Sequence, residues 1–278
     1  MNNLREKIAL VTGASRGAGR AIAAVLGEAG ATVYVTGRTV RGAAAVDGLP
    51  GSIKETAEEV TARGGRGVAV RCDHTVDADV ETLFDQIRAD HGRLDLLVNN
   101  VWGGYEAQAF GIPMTPFWQQ PRTQWESMLV AGTRAQLVTS QLAAPLMIDQ
   151  QGSLIVSVVA WAYDEYLRNI YYDLSKAAVI RVTLGMAHDL RKHGAAAIAV
   201  APGFMRTERI LAAHAAHPFD LSITESPEYL GRAVRTLAED PNKMDRTGQL
   251  FTVGDLAQEY GFTDIDGRQP AAFRFPTQ

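Results

Sequence analysis

The stretch IALVTGASRGAGRAIA, residues 8–23, determines the fold class of this chain. An apolar strand, Ile8–Thr12, runs into the glycine-rich turn Gly13–Gly19, and a helix over Gly17–Glu28 follows at once. The tight turn needs φ values that glycine allows, and glycine also lets the backbone approach a pyrophosphate closely. The free N–H groups and positive dipole end of the helix favour a bound anion. The segment therefore predicts the phosphate site of a dinucleotide-binding α/β domain.

Short β-branched runs alternate with longer helical patterns along the rest of the chain. The predicted strands are Ile8–Thr12, Thr32–Thr36, Gly67–Arg71, Leu94–Val98, Leu154–Val159, Ala197–Val200 and Gln249–Val253. The predicted helices are Gly17–Glu28, Ile53–Arg63, Ala78–Asp90, Thr123–Leu146, Tyr171–Lys192 and Pro227–Ala238. This alternation predicts a doubly wound (Rossmann), mainly parallel seven-stranded sheet with helices on both faces. We expect one domain over residues 1–278, with substrate loops near 101–122 and 203–225 on the ligand side of the sheet.

Composition narrows the classes of partner. The chain has 278 residues and a net charge of −4, which gives no support for nucleic acid or an anionic membrane as partner. The single cysteine, Cys72, rules out an intrachain disulfide and is typical of a reducing cytoplasm, so we expect a cytoplasmic protein. The first apolar stretch is too short for a signal peptide or a transmembrane span. No third ligand accompanies His214 and His217, so we expect no metal.

The end of the second predicted strand indicates which nicotinamide cofactor is bound. An acid there would favour NAD, but the chain reads Thr36-Gly37-Arg38-Thr39, and Arg16 in the first turn backs Arg38. Two guanidinium groups beside one phosphate favour NADPH/NADP+ through charge-assisted contacts. The residues expected to contact the cofactor in these two segments are Gly13, Ser15, Arg16, Gly17, Ala18, Gly19, Arg38 and Thr39.

Tyr172 and Lys176 are the candidate catalytic pair. A spacing of four places them one turn apart on the same face of the helix predicted over Tyr171–Lys192. A phenol is a poor acid near neutrality, and a close cation is expected to lower its pKa. Tyr172 would then donate a proton to a carbonyl oxygen as hydride arrives at the carbon.

The chain resembles the short-chain dehydrogenase/reductase family from about residue 5 to residue 255. The resemblance lies in TGASRGAG at 12–19, CDHT at 72–75, LVNN at 97–100, YDLSK at 172–176 and APGFMRT at 201–207. Within the family it resembles the branch typified by dehydrogenase/reductase member 1. The segments that match this branch are GRT at 37–39, FWQQPRTQW at 117–125, ESPEYLGRAVRTLAEDPN at 225–242 and GDLAQEYGFTDIDGR at 254–268.

The resemblance implies further cofactor contacts and an oligomer. Asp73 would lie by the adenine, Asn100 beside the adenosine ribose, and Lys176 on the nicotinamide ribose hydroxyls. The turn at 202–203 would cover the nicotinamide, with Thr207 near its carboxamide. The further positions expected at the cofactor are Asp73, His74, Asn100, Val101, Tyr172, Lys176, Pro202, Gly203 and Thr207. Family members often pair through the helices at 123–146 and 171–192, which implies a homodimer or homotetramer.

Two positions depart from the family pattern. The usual serine, thirteen residues before the tyrosine, is Val159; Ser157 shares its strand face and is either the catalytic serine or a buried structural residue. The usual asparagine, seven residues after Trp125, is Gly132, where a water could replace the amide in the proton relay. Losing the serine removes a hydrogen-bond donor to the substrate oxygen. Tyr172 would then act alone or with help from Tyr171, Tyr163 or Asp164.

The substrate is expected to be small and hydrophobic if the loop aromatics face the nicotinamide. These aromatics, which could instead form a loop core, are Trp102, Tyr105, Phe110, Phe117, Trp118, Trp161, Tyr163 and Tyr166. The function expected first is NADPH-dependent reduction of a carbonyl. The alternatives are reduction of a C=N or C=C bond, with Asp164 and Glu165 placed to stabilise an iminium, or a non-catalytic NADP(H)-binding sensor or scaffold.

Overall fold

The computed structural model describes residues 4–42, 48–105, 114–161 and 166–274. These residues form seven strands: β1 (Ile8–Val11), β2 (Thr32–Gly37), β3 (Arg66–Arg71), β4 (Leu96–Asn99), β5 (Leu154–Val158), β6 (Ala196–Ala201) and β7 (Leu250–Thr252). They make one sheet in the order β3-β2-β1-β4-β5-β6-β7, and each pairing between neighbours is parallel. The predicted doubly wound sheet is confirmed, and each strand boundary lies within two residues of its predicted place.

Helices cover both faces of the sheet. They are α1 (Gly17–Glu28), α2 (Ile53–Ala62), α3 (Asp77–His91), α4 (Ala135–Met147), α5 (Ile170–Leu190), α6 (Glu208–Ala216), α7 (Pro227–Glu239) and α8 (Val253–Tyr260). Helices α1, α2, α7 and α8 bury one core against the sheet, and α3, α4 and α5 bury the other. Side chains alternate along β1, so that Val11 enters the first core and Leu10 the second.

Two predictions in the helical regions are corrected by the structure. The helix predicted over Thr123–Leu146 is a π-helical segment, Trp125–Arg134, that continues directly into α4. Its wider turn leaves a carbonyl for outside donors, and the Ser175 hydroxyl of α5 donates to the Met128 carbonyl oxygen at 2.9 Å. The segment near 203–225, expected as a loop, contains α6, whose N-terminus is capped by the Thr207 hydroxyl.

The strand order indicates where on the sheet a ligand would bind. The strand order reverses between β1 and β4, which are parallel neighbours. In doubly wound sheets a crevice opens at the carboxyl ends of the strands at this point. The glycine-rich turn after β1, the loop after β4 and the start of α5 all lie there.

Candidate active site

A cavity of about 630 Å³ lies at the carboxyl ends of the strands. Every position expected to contact the cofactor lines it, and so do both candidate catalytic residues. These are Gly13, Ser15, Arg16, Gly17, Ala18, Gly19, Arg38, Thr39, Asp73, His74, Asn100, Val101, Tyr172, Lys176, Pro202, Gly203 and Thr207. Segments far apart in the sequence therefore meet at one cavity, although the role of each residue in it stays a prediction.

The glycine-rich turn is shaped by close backbone approaches and by polar braces. Gly13 has a φ of +63°, and a Cβ there would lie 2.9 Å from the Val101 Cα. A Cβ at Gly19 would lie 2.5 Å from the Gly13 carbonyl oxygen. The Asn100 amide donates to the carbonyl oxygens of Thr12 and Gly13, at 2.9 and 3.1 Å. Asn100 therefore stabilises the glycine-rich turn. This role is separate from the ribose contact that the family resemblance implies.

The N-terminus of α1 already binds an anionic group. The Gly17 N–H donates to the Glu208 carboxylate at 2.9 Å. Glu208 lies in the first turn of α6, beside the capping residue Thr207. A carboxylate at this place shows that the amide is directed at an anion, as a phosphate site requires. The glycine cradle and this amide fit a dinucleotide pyrophosphate.

Arg38 directly follows β2, and Arg16 lies in the turn between β1 and α1. The Arg16 guanidinium donates to the carbonyl oxygens of Pro50 and Gly51, at 3.1 and 3.2 Å. It also approaches the Thr39 hydroxyl at 3.4 Å. Arg38 lies 3.9 Å from the Asp73 carboxylate and is about two-fifths exposed, at 39%. Both arginines line the cavity, as cations that bind a ribose 2′-phosphate would.

His74 lines the cavity but is braced on both ring nitrogens. Its Nε2 lies 2.8 Å from the Thr36 hydroxyl and its Nδ1 lies 2.9 Å from the Thr139 hydroxyl. Burial lowers the pKa of His74 to about 4, so the ring is neutral. The imidazole thus links β2 to α4 beside the part of the cavity that is expected to hold the nucleotide.

Tyr172 and Lys176 lie one turn apart near the start of α5. The Asn169 side chain caps this helix by accepting from the Tyr172 N–H at 3.0 Å. The Lys176 ammonium is buried and lies 3.6 Å from the centroid of the Trp102 ring and 5.4 Å from that of Tyr172. Burial lowers the pKa of Lys176 to about 7.

The expected fall in the pKa of Tyr172 is not found. Burial raises this pKa well above its usual value, and the charge and hydrogen bond of the neighbouring Tyr105 hydroxyl raise it further. Loss of hydration is the largest cause, because a phenolate is costly away from water. A phenol with a high pKa keeps its proton, which suits a donor. Tyr105, which was expected only as one aromatic among several, is thus the hydroxyl beside Tyr172.

The position of the usual serine is apolar. Val158, Val159 and Ala160 line the cavity, whereas Ser157 is not among the described residues that do. Ser157 is 1% exposed and lies within the sheet, opposite Asn99 and Ala199. Of the two alternatives left open, this placement favours a buried structural serine.

The ring of Trp102 lies beside Gly132. A Cβ at Gly132 would lie 2.9 Å from Cζ3 of the indole ring and 3.3 Å from the Ser175 hydroxyl. The ring also meets Tyr172 edge to face, with centroids 5.7 Å apart. The indole therefore lies against the position at which the family usually has an asparagine, and a water in the proton relay stays a prediction.

The loop aromatics divide between two cavities. Trp102, Tyr105 and Trp161 line the main cavity. Phe117, Trp118 and Tyr166 line a shallower apolar depression of about 700 Å³ instead, and Met114 borders both. Tyr171 is absent from the described lining of the main cavity. Four predicted residues, Phe110, Tyr163, Asp164 and Glu165, lie outside the described residues.

Glu225 was missed by sequence reasoning. This carboxyl is 3% exposed and accepts from the Gly203 N–H at 2.8 Å, which ties the turn over the cavity to the segment before α7. Burial raises the pKa of Glu225 to about 7. A glutamate next to a helix-capping serine is an ordinary sequence pattern. The sequence therefore gave no signal that Glu225 contacts Gly203, 22 residues earlier in the chain.

The described residues hold no cluster of three or more histidine, cysteine or acidic side chains that could bind a metal ion. Among the helices that the structure describes, none combines the length and apolar character needed to cross a membrane.

Comparison with known proteins agrees with this geometry. The family model for short chain dehydrogenases matches residues 7–216. Dehydrogenase/reductase SDR family member 1 of Mus musculus is 36% identical over 277 residues, which cover 95% of this chain and 85% of that protein. The predicted resemblance to that branch is therefore confirmed.

Two solved structures are similar over most of the chain. A short chain dehydrogenase from Burkholderia cenocepacia J2315, in complex with NADP, is 27% identical with a TM-score of 0.72, covering 90% of this chain and 97% of that one. The promiscuous reductase LugOII, which catalyses keto-reduction at C1 during lugdunomycin biosynthesis, is 26% identical with a TM-score of 0.71, covering 91% and 97%. The chain belongs to the short-chain dehydrogenase/reductase family of oxidoreductases.

Proposed function

We propose that this protein is an NADPH-dependent reductase of carbonyl groups on small hydrophobic substrates, with Tyr172 as the proton donor. The observation that carries the proposal is the shared cavity, which joins Tyr172 and Lys176 to the glycine-rich turn and the two arginines. One end of it fits a dinucleotide, and the other presents a protonated phenol. A hydride reductase needs both in one enclosure.

The preference for NADPH rests on Arg16 and Arg38. Both guanidinium groups border the cavity beyond β2, and β2 itself ends without an acid. The NADP complex of the Burkholderia cenocepacia relative supports the same preference.

Each residue at the chemical end has a proposed task. The nicotinamide cofactor, when bound, supplies the hydride. Tyr172 gives its proton to the substrate oxygen, which its raised pKa allows because the phenol stays protonated. Lys176, whose pKa burial lowers to about 7, holds the ribose end of the cofactor and places a positive charge beside that oxygen when it is protonated.

The proposed substrate is apolar because the wall near Tyr172 is apolar. Val158, Val159, Ala160 and Trp161 line it opposite the ring of Trp102. Keto-reduction by the structurally similar LugOII supports a carbonyl as the reacting group.

The test is NADPH consumption by the purified protein against a panel of apolar aldehydes and ketones, repeated with NADH. We expect turnover with at least one carbonyl class, faster with NADPH. The control is Tyr172→Phe, which should bind NADPH normally and lose turnover. Tight NADPH binding without turnover of any substrate would reject the reductase.

One observation favours a second candidate function. The serine position is filled by Val159, so the wall offers the substrate oxygen one donor fewer. A C=N or C=C bond needs less support of an oxyanion, and imines and enones therefore belong in the same panel. A non-catalytic NADP(H) sensor is the remaining alternative, and retention of both Tyr172 and Lys176 argues against it.

We also propose a cytoplasmic homo-oligomer that pairs through α5 and the π-helical segment. Trp125 and Leu174 expose 50% and 44% of their surface on these elements. Exposed large apolar side chains on neighbouring elements are typical of a subunit contact. Light scattering coupled to size exclusion would measure the mass, and a monomer at micromolar concentration would contradict the proposal.

A further inference from the structure

Trp102 lies at the centre of the chemical end, against both candidate catalytic residues. Its ring faces the Lys176 ammonium at 3.6 Å from the centroid, and its edge meets Tyr172. Tyr105 packs on it from the other side, with centroids 6.0 Å apart. One indole thus contacts the proposed donor, the proposed cation and the hydroxyl beside the donor.

Packing, and not hydrogen bonding, holds the ring in place. The indole Nε1–H is buried and has no hydrogen-bond partner in the described part of the chain. The ring lies against the backbone of Gly132 and of Gly104, where added side chains would overlap it. Both neighbours are glycine, and this gives the indole room to lie flat beneath the ammonium.

The Trp102 ring lies closer to the Lys176 ammonium than the Tyr172 ring does. No carboxylate lies within ion-pair distance of it among the described residues. The titratable groups around it are Tyr172 on α5 and Tyr105 after β4, with Arg209 of α6 over the face of Tyr105. A buried cation with neutral neighbours loses hydration without gaining an ion pair, and an aromatic face offsets part of that loss.

We propose that Trp102 is a positioning residue that holds the Lys176 ammonium, charged and in place beside Tyr172, by a cation–π contact. Its ring lies against Gly132, the position at which the family usually has an asparagine. The catalytic part of this inference rests on the proposed reductase function, but the contact itself can be tested without substrate.

The test compares Trp102→Phe with Trp102→Leu, because phenylalanine keeps an aromatic face and leucine keeps only apolar bulk. Trace acetylation of Lys176 across pH, read by mass spectrometry, measures the midpoint at which its amine loses the proton. Losing the ring destabilises the ammonium, so we expect the midpoint to fall by about one pH unit in Trp102→Leu and by little in Trp102→Phe. The same order is expected in kcat, about tenfold lower for the leucine variant and little changed for the phenylalanine variant.

Gly132→Ala moves the ring without removing it. Its methyl would lie 2.9 Å from the indole, so the ring must shift. We expect a lower midpoint and a lower kcat from this variant alone, and no further loss when it is combined with Trp102→Leu. The matched control is Gly185→Ala on α5, where an added Cβ meets nothing within 4 Å among the described residues.

The outcomes separate this inference from the proposed function. A midpoint that is unchanged or raised in Trp102→Leu overturns the inference, as does equal behaviour of the phenylalanine and leucine variants. A midpoint that falls as expected in a protein without turnover supports the contact and rejects the reductase instead.

Discussion

The two ends of the cavity, the nucleotide end and the chemical end, are stabilised by different kinds of interaction. The nucleotide end consists of backbone amides and glycines, held by polar braces such as Asn100 on the carbonyl oxygens of Thr12 and Gly13. The chemical end consists of rings around a buried ammonium, with Trp102 packed against Tyr172 and Lys176. Hydrogen bonds shape the first, and side-chain packing shapes the second.

This difference implies that the two ends respond differently to substitution. The glycine-rich turn should lose affinity for the cofactor when an added side chain separates its closely packed backbone segments. The backbone amides can then no longer face the phosphates. A packed aromatic site loses rate when a ring is displaced, because proton transfer depends on position. Variants at one end should therefore change cofactor affinity and variants at the other should change kcat.

Tyr172→Phe should have the largest effect. Loss of a general acid typically costs 10²–10⁴-fold, so we expect kcat to fall about 10³-fold. The Kd for NADPH, measured by quenching of protein fluorescence, should stay within about twofold because the phenol belongs to the chemical end. A large loss of NADPH affinity would break the division between the two ends.

Gly19→Ala should be the most damaging change at the nucleotide end. The added methyl would lie 2.5 Å from the Gly13 carbonyl oxygen and 2.6 Å from the Asn100 amide nitrogen. If the cost of overpacking, about 1–3 kcal/mol, falls on cofactor binding, it corresponds to a rise of about 5- to 150-fold in the Kd for NADPH. Titration calorimetry would measure it, and thermal unfolding would report any loss of fold.

Gly185→Ala is its matched control. This site lies within α5 with open space around it, so alanine should leave the Kd unchanged and stabilise the helix by about 1 kcal/mol. If both variants bound NADPH like the parent protein, the glycine cradle would have no part in binding.

Arg38→Gln should have a smaller and more selective effect. One charge-assisted hydrogen bond is worth about 1.5–3 kcal/mol, so we expect the Kd for NADPH to rise at least about tenfold. The Kd for NADH should not change, since NADH lacks the 2′-phosphate. Arg88→Gln, on the remote helix α3, is the control for lost charge. Equal losses with NADH and NADPH would contradict a phosphate contact.

Glu208→Gln should have the smallest effect and the opposite sign. The carboxylate on the Gly17 N–H competes with a cofactor phosphate, and charges at a helix N-terminus are worth about 0.3–1 kcal/mol. We therefore expect NADPH to bind about two- to fivefold more tightly. Glu228→Gln, in the first turn of α7, removes the same charge elsewhere. Weaker binding by Glu208→Gln alone would show that the carboxylate assists the cofactor.

The fold could be predicted well because its signals are local. Apolar runs ended by glycine or polar residues marked each strand, and parallel order follows from their alternation with helices. Helix α6 was missed because none of its described residues is fully buried, so it shows no apolar periodicity. Its capping residue, Thr207, was a usable signal. The π-helical turn was not predictable, since contacts with α5 support it.

The sequence could predict more of the nucleotide end of the candidate site than of its chemical end. Glycine φ angles and close backbone approaches depend on the local segment, so the sequence could predict which residues of the glycine-rich turn line the cavity, while their cofactor contacts stay a prediction. The place of Trp102 depends on Gly132, thirty residues further along the chain, and on Lys176 beyond it. Packing between distant segments leaves no local pattern, and for that reason the ring was expected only as part of an aromatic loop.

The contact between Glu208 and the Gly17 amide has a consequence for ionic strength. A phosphate that enters this place displaces a tethered anion, so binding exchanges one negative charge for another at the end of α1. Dissolved sulfate or phosphate must compete with the same tethered group. Cofactor affinity in Glu208→Gln should therefore fall more steeply with added sulfate than in the parent protein. The carboxylate shields this helix end from free anions in solution.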